Sequence, residues 1–297
     1  MLGNPPHPMP IIGILYAGEL GSSLGRLLAE RGLTVVTTLE GRGPRTAQLC
    51  HEAALSVLPS LRDVVERADV VLSTVPPAAA VAVAERYQAI RPTSAPTQIY
   101  VDLNAVSPET IRRIGEVLAP AGVDFVDGAI HGLASRLATR GTLYLSGPRS
   151  ASVGELFGQV PRVRILGDEI GKASTFKMMI SGMAKGVVAL FVEMAAAARQ
   201  AEMLDDLLTC YRDAYPEIMA LVERMLPTYP QHAARRGDEL KEVEQTMIAL
   251  GLQPCMVHGA QCITTELSRA GLSPRLEAAH DSSIREIIEA FAIRMNH

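Results

Sequence analysis

The sequence predicts two domains, an α/β domain built on a mostly parallel sheet and then an all-α domain. Three observations predict this. Short β-branched runs alternate with helical patterns from Ile11 to about residue 166, the spacing of crossover units. The first run ends in a glycine-punctuated turn that leads into a helix. From about Ile170 strand signals fade, and long Ala/Leu/Met/Glu-rich segments take over. The expected boundaries are a loose, proline-rich lead over 1–10, the α/β domain over 11–168 and the helical domain over 169–297. A chain of 297 residues suits two domains better than one.

In chain order the strand runs are IIGIL, LTVVTTL, DVVLSTV, QIYVDL, VDFVDGAI and TLYLSG, with helical patterns such as SSLGRLLAERG and ETIRRIGEVLAPAG between them. In the second half, YPEIM, PTYPQ, GLQP and GLSP punctuate the helices. Aromatics are only 4% and Trp is absent, so the core must be built from Ala, Leu, Val, Ile and Met. The stretch GVVALFVEMAAAA is broken by Glu193 and reads as too short to span a bilayer. A net charge of −4 carries no nucleic-acid footprint. Cys50, Cys210, Cys255 and Cys262 show no C-x-x-C pairing, and no Asp/His cluster has ligand spacing. Free intracellular thiols without a metal are therefore expected. MLGNPPHPMP has neither the basic region nor the apolar core of a signal peptide, so the expected location is cytoplasmic.

The turn carries the first functional signal. In IIGILYAGELGSSLGRLL, Gly18 and Gly21 hold the second and third places of a Gly-x-Gly-x-x-Gly fingerprint, and Tyr16 stands at the first. In such a turn one glycine admits the pyrophosphate and another lets helix and strand lie close, with the helix start facing phosphate. Tyr16, Gly18, Glu19, Leu20 and Gly21 are thus candidate cofactor-binding residues of a Rossmann-type domain. Glu40 follows Gly21 at about the 20-residue spacing of an acid that bonds a ribose 2′-hydroxyl. Arg42 and Arg45 come directly after it, and guanidinium groups there suit a 2′-phosphate. The expected cofactor is NADP in preference to NAD. A solvated loop charge is the competing reading of both arginines.

Further along, ADVVLSTVPP, VDLNAVSPET, FVDGAIHGLASRLATRGTLYLSGP and GDEIGKASTFKMM join the turn as five motifs in order. Over roughly residues 11–200 the chain resembles the β-hydroxyacid dehydrogenases, relatives of 6-phosphogluconate dehydrogenase. Its C-terminal part resembles a variant branch whose second domain is known only as phosphogluconate-dehydrogenase-like. The resemblance implies that Val75 and Pro76 lie beside the cofactor and that Lys177 is the catalytic lysine. It implies that Asn104, His131, Gly132 and Ser181 stand at substrate-binding positions. It also implies a dimer. The family's hydroxyl residue is Asn104 here, its Ser-Gly-Gly is His131-Gly132-Leu133, and its asparagine after the lysine is Ser181. Cofactor chemistry carries over more safely than substrate identity.

The residues support the lysine independently. Lys177, Ser181 and Lys185 are each four apart, which places them on one helix face. A lysine among Met178, Met179, Ile180 and Met183 is partly desolvated, which moves its pKa toward acid/base range. Lys185 is assigned to holding an anionic group of a small acidic substrate. The competing reading is a solvated pair of lysines. Arg235, Arg236, Glu239 and Glu242 read mainly as helical salt pairing; in a lesser reading Arg235 or Glu239 reaches the cleft. The expected activity is hydride transfer between a nicotinamide and a small hydroxy acid or its carbonyl partner. An imine reductase of the same architecture and a catalytically silent NADPH sensor are the rivals. A homodimer is expected, because a long helix rich in Ala and Met needs covering.

Overall fold

The computed structural model describes residues 9–91, 97–269 and 284–295. The lead expected over 1–10 falls, except for Met9 and Pro10, outside the described residues, as does the GLSP punctuation at 271–274. The chain divides into two compact units, one ending at Lys177 and the other beginning at Met178.

The first unit runs β1 (Ile12–Leu15), α1 (Glu19–Glu30), β2 (Val35–Thr38), α2 (Pro44–Glu52), β3 (Ser56–Leu58), α3 (Leu61–Arg67), β4 (Val70–Ser73), α4 (Ala80–Ile90) and β5 (Ile99–Asp102). It continues through α5 (Pro108–Leu118), β6 (Asp124–His131), α6 (Leu137–Arg140), β7 (Thr142–Ser146), α7 (Ser150–Phe157) and β8 (Arg162–Ile165) to the start of α8 (Lys172–Gln200). The eight strands form one sheet in the order β3-β2-β1-β4-β5-β6-β7-β8. Every pairing is parallel except β6 with β7. The pleat explains the two apolar layers. Ile12 and Ile14 point to one face, against Leu24 and Leu28 of α1, and Leu15 points to the other, with Val64 and Val65 of α3 and Ile111 and Ile114 of α5. The polar end of β2 is buried without loss, because the Thr37 hydroxyl donates to the Ile14 carbonyl at 2.8 Å.

Six of these strands coincide with the six β-branched runs. The other two are the sheet's edges. β3 is three residues long, and β8 reads Arg-Val-Arg-Ile with both arginines exposed. Short or charged edges discourage pairing between molecules, and the same property hides them from a hydrophobic pattern.

The second unit holds α8 from Met178 onward, α9 (Leu204–Ala214), α10 (Pro216–Met225), α11 (Tyr229–Ala249), α12 (Cys255–Arg269) and α13 (Ile284–Met295). No strand follows β8 among the described residues. Val188, Phe191, Val192 and Ala195 recur at helical spacing along α8 and pack with Leu204, Met219, Val222 and Phe291. One expectation is corrected. α8 is 29 residues long and, by length and composition, able to cross a bilayer. The apolar run read in the sequence is only its middle. In its most apolar window 44% of residues are buried within the fold.

Candidate functional site

The strand order reverses between β1 and β4, the crevice where open parallel sheets bind ligands at their carboxyl ends. The glycine turn lies there. Tyr16, at the place of the first glycine, has φ 61°, the left-handed region that costs an L-residue about 1–2 kcal/mol. The ring is buried, Arg42 lies over it at 4.2 Å, and its hydroxyl accepts from Arg86 at 2.8 Å. Those contacts offset the backbone cost. Gly18 stands before α1, no side chain caps the helix, and a Cβ built on Gly18 meets nothing within 4 Å. The first-turn N–H groups at Glu19, Leu20 and Gly21 therefore have neither an intrahelical partner nor a side-chain cap. Gly21 plays the close-packing role, since a Cβ there falls 2.6 Å from Thr74 Oγ1 and 3.1 Å from Ile14. The Thr74 hydroxyl is buried with no hydrogen-bond partner. An uncapped helix start beside an orphaned hydroxyl fits an anionic dinucleotide.

Glu40 is placed at the end of β2, and both of its oxygens are engaged. Leu61 N–H donates to one at 2.9 Å and Arg86 to the other at 2.6 Å. The Leu61 bond, with Arg86 beside it, holds the Glu40 carboxyl below the usual carboxylate range. Arg45 reaches back to pair with Glu19 on the exposed start of α1. Arg86, on α4, was not anticipated; it lies 46 residues from Glu40, beyond any local spacing signal.

Val75 and Pro76 lie in the loop after β4, just beyond Thr74. Val75 N–H donates to Asn104 Oδ1 at 2.6 Å, and Asn104 Nδ2 donates to Ser73 Oγ at 3.1 Å and Asp102 Oδ2 at 2.8 Å. Asn104, expected at a substrate-binding position, is held by these bonds between the two loops. Its side chain is buried, both amide hydrogens are used inside the fold, and it ties the loops after β4 and β5 together. Asp102 also accepts from Asn104 N–H at 2.9 Å. It is fully buried, and desolvation pushes its carboxyl up to about 7, against the Asn104 bonds and with help from the Asp127 charge.

Lys177 lies in the second turn of α8, half-buried, at the end of the first unit. His131 ends β6 opposite Thr142 and is exposed. Gly132, at φ 135°, needs its missing side chain, because a Cβ would stand 3.1 Å from the Gly141 backbone. The start of α8 is held by Asp127 of β6, whose carboxylate accepts from Ser146 Oγ, Gly171 N–H and Ser174 N–H, each at 3.0 Å, and from Ser174 Oγ at 2.6 Å.

In the second unit, Ser181 and Lys185 do share a face of α8, and Lys185 donates to the Ser181 hydroxyl. Lys185, expected to hold an anionic group of the substrate, is engaged inside the second unit. Its ammonium is buried and paired with Glu239 of α11 at 2.7 Å, and Glu239 also binds Arg235. Burial lowers the Lys185 pKa and the Glu239 charge opposes that shift. Helical spacing reveals the Arg235–Glu239 pair but not the lysine 54 positions earlier in the chain.

Comparison with known proteins agrees with this geometry. Residues 11–156 match the NAD binding domain of 6-phosphogluconate dehydrogenase, and residues 198–267 match a domain of unknown function, DUF1932. An uncharacterized 28.5 kDa protein of Methanothermus fervidus is 28% identical over 249 residues, 83% of this chain and 94% of that one. A solved conserved protein of unknown function, described as similar in structure to 3-hydroxyacid dehydrogenases, is 30% identical with a TM-score of 0.67, covering 89% of this chain and 98% of its own. At fold level, 3-hydroxyisobutyrate dehydrogenase of Salmonella typhimurium is 20% identical with a TM-score of 0.71, covering 90% and 99%. An imine reductase of Myxococcus stipitatus, solved with NAD+, is 16% identical with a TM-score of 0.58, covering 95% and 99%.

Proposed function

Because the chain belongs to the 3-hydroxyacid dehydrogenase-like family built on the 6-phosphogluconate dehydrogenase NAD-binding domain, we propose that it is an NAD(P)-dependent oxidoreductase acting on a small hydroxy acid or its carbonyl partner. The observation that carries this reading is the uncapped start of α1 at the reversal of strand order, reached through Tyr16 in a left-handed conformation. Gly18 leaves room for a pyrophosphate, and the first-turn N–H groups with the Thr74 hydroxyl supply donors. A bound nicotinamide would supply or accept the hydride. The chain's own tasks are to orient that ring and to move a proton at the substrate oxygen. Lys177 is assigned to the proton: as ammonium it gives one to a carbonyl oxygen under reduction, and as amine it takes one from the alcohol under oxidation. His131 and Gly132, at the end of β6, are assigned to the substrate.

The cofactor we assign is NADP. The Glu40 charge is met by Arg86 and both of its oxygens already accept bonds, which weakens it as a ribose partner. Arg42, in the loop after Glu40, and Arg45, in the first turn of α2, add two guanidinium groups. A second reading, reduction of an imine, is favoured by one observation. The Lys185 charge is spent on Glu239, so the helix offers one cation fewer for an acidic substrate. We also assign a homodimer, for which the exposed apolar surface of the second unit speaks, and a cytoplasmic location, which suits the free thiols of Cys210, Cys255 and Cys262.

The test is a panel of 3-hydroxy acids, sugar acids, semialdehydes and cyclic imines followed by nicotinamide absorbance. Turnover of a hydroxy acid or semialdehyde with NADP is the expected result. Turnover of imines alone would move the assignment to the second reading. NADPH binding with no turnover across the panel would make the protein a nucleotide sensor.

A further inference from the structure

A row of polar side chains crosses the carboxyl edge of the sheet. In strand register Ser73 of β4 stands beside Asp102 of β5, Asp102 beside Asp127 of β6, and Asp127 beside Ser146 of β7. All four are fully buried. Polar groups so buried require partners, and the partners of the Asp127 end belong to one feature, the start of α8.

Helix starts leave N–H groups without intrahelical acceptors, and a local Ser, Thr, Asp or Asn usually caps them. Here the sheet supplies the cap. Asp127 takes Gly171 N–H and Ser174 N–H, and Ser146 Oγ takes Ala173 N–H at 3.0 Å. The Ser146 hydroxyl passes its own hydrogen to Asp127. The ring of Phe176 lies 4.8 Å from that of Tyr144 on β7 and packs the same turn onto the sheet. Lys177 stands four residues after Ala173 and three after Ser174, so it is the next residue up on the clamped face.

We propose that Asp127, with Ser146 and Ser174, is the positioning device for the proton-transfer lysine: it pins the first turn of α8 to the sheet and so fixes where Lys177 stands. The inference rests on the assignment of the proton to Lys177. A cap taken from a distant strand, and not from the chain just before the helix, ties the first turn of α8 to the sheet that holds the cofactor turn. Geometry of this kind matters to rate, since a misplacement of about 1 Å costs on the order of 10²-fold.

Three variants separate position from charge. In Asp127→Asn the amide oxygen can keep the three donors now on one carboxylate oxygen. The amide NH₂ can donate to Ser174 Oγ, which reverses its hydroxyl. This variant keeps the clamp and loses the charge. Asp127→Ala loses both, and the double variant Ser146→Ala/Ser174→Ala weakens the clamp with the carboxylate retained. Each is confirmed folded by circular dichroism, then measured for kcat, substrate KM and cofactor Kd beside Lys177→Ala.

The expected result is a fall in kcat on the order of 10²-fold in Asp127→Ala, a smaller fall in the double serine variant, and recovery to within about tenfold in Asp127→Asn. Cofactor Kd stays near wild type, and amide hydrogen exchange rises over residues 171–177 in the two clamp-breaking variants. If Asp127→Ala does not fold, the double serine variant carries the test alone. Wild-type kcat in folded clamp-breaking variants, with Lys177→Ala inactive, overturns this inference and leaves the lysine assignment standing. Full turnover in Lys177→Ala overturns the assignment and the inference together.

Discussion

The proposed NADP preference and proton transfer each rest on single residues. Replacing Arg42 and Arg45 together by Ala should weaken NADP by up to about 1.5–3 kcal/mol for each charged bond lost, with NAD binding nearly unchanged. Fluorescence titration with both nucleotides measures this, and equal losses would return the ribose to Glu40. Lys177→Ala should lower turnover by about 10²–10⁴-fold, the usual contribution of general acid–base catalysis. Lys177→Arg should be nearly as slow, because arginine does not deprotonate in the working range. If Lys177→Arg kept most of the turnover, the lysine would be only a positive charge, and His131 would become the first alternative. Asp102 makes a prediction about stability. Its carboxyl is raised from 3.8 to about 7 by burial, so between those values the folded state holds more protons than the unfolded one. Stability therefore falls as pH rises through that window and levels off above it. Roughly three units at about 1.4 kcal/mol each bound the effect near 4 kcal/mol. Burial raises Asp127 as well, which adds slope of the same sign. Asp102→Asn should flatten the fall in melting temperature between about pH 4 and 7, and an unaltered slope would remove Asp102 as its source.

At the scale of elements, α8 and α11 are joined by the Lys185–Glu239 pair. Removing one partner of a buried ion pair typically costs about 3–5 kcal/mol, whereas an apolar replacement of both is often neutral or stabilising. Lys185→Ala should therefore lower denaturant stability substantially, and Lys185→Met/Glu239→Leu should recover most of the loss. Arg235, which stays on Glu239 in the single variant, keeps the loss toward the lower end. A Lys185→Ala protein of wild-type stability with a raised substrate KM would restore the anion-holding role. This pair shows where sequence reading stops. Spacing alone places Ser181 and Lys185 on one face, and the bond between them agrees. What meets that face from α11 is a tertiary fact with no period. Asn104, Arg86 and Asp127 share the same limit: each bonds residues from about 30 to 47 positions away. The Asp127 partners cannot be found by looking for a cap just before α8, since the cap comes from the sheet. The six inner strands, by contrast, carry β-branched runs because both faces are buried, and these were legible throughout.

For the whole molecule, the order of the turn, the strands and the lysine helix was readable because each is a local pattern. The surface of the second unit was readable only as a surplus of Met and Ala. That surplus has a place in the structure. Met179, Met183 and Leu190 of α8 face Val243 and Met247 of α11, Leu250 and Leu252 beyond it, and Met256 of α12 across a cavity of 460 Å³. Met183 and Met256 are 72% and 70% exposed, and contiguous apolar surface of this kind marks an interaction site. A second copy of the chain is the occupant assigned to it. Such a copy would also account for a helix whose composition suits a membrane although 44% of its apolar window is buried. A stable pair needs about 800 Å² from each partner, and Met183 and Met256 are the most exposed of the large apolar side chains lining this cavity. Sedimentation velocity at about 10 μM, well above the Kd of a stable interface, should give a dimer for the wild type. Met183→Glu/Met256→Glu should give a monomer with an unchanged circular dichroism spectrum, because both side chains are exposed in the single chain and neither supports the core. A monomeric wild type would leave the groove to another occupant. A dimeric double variant would place the interface on a different face.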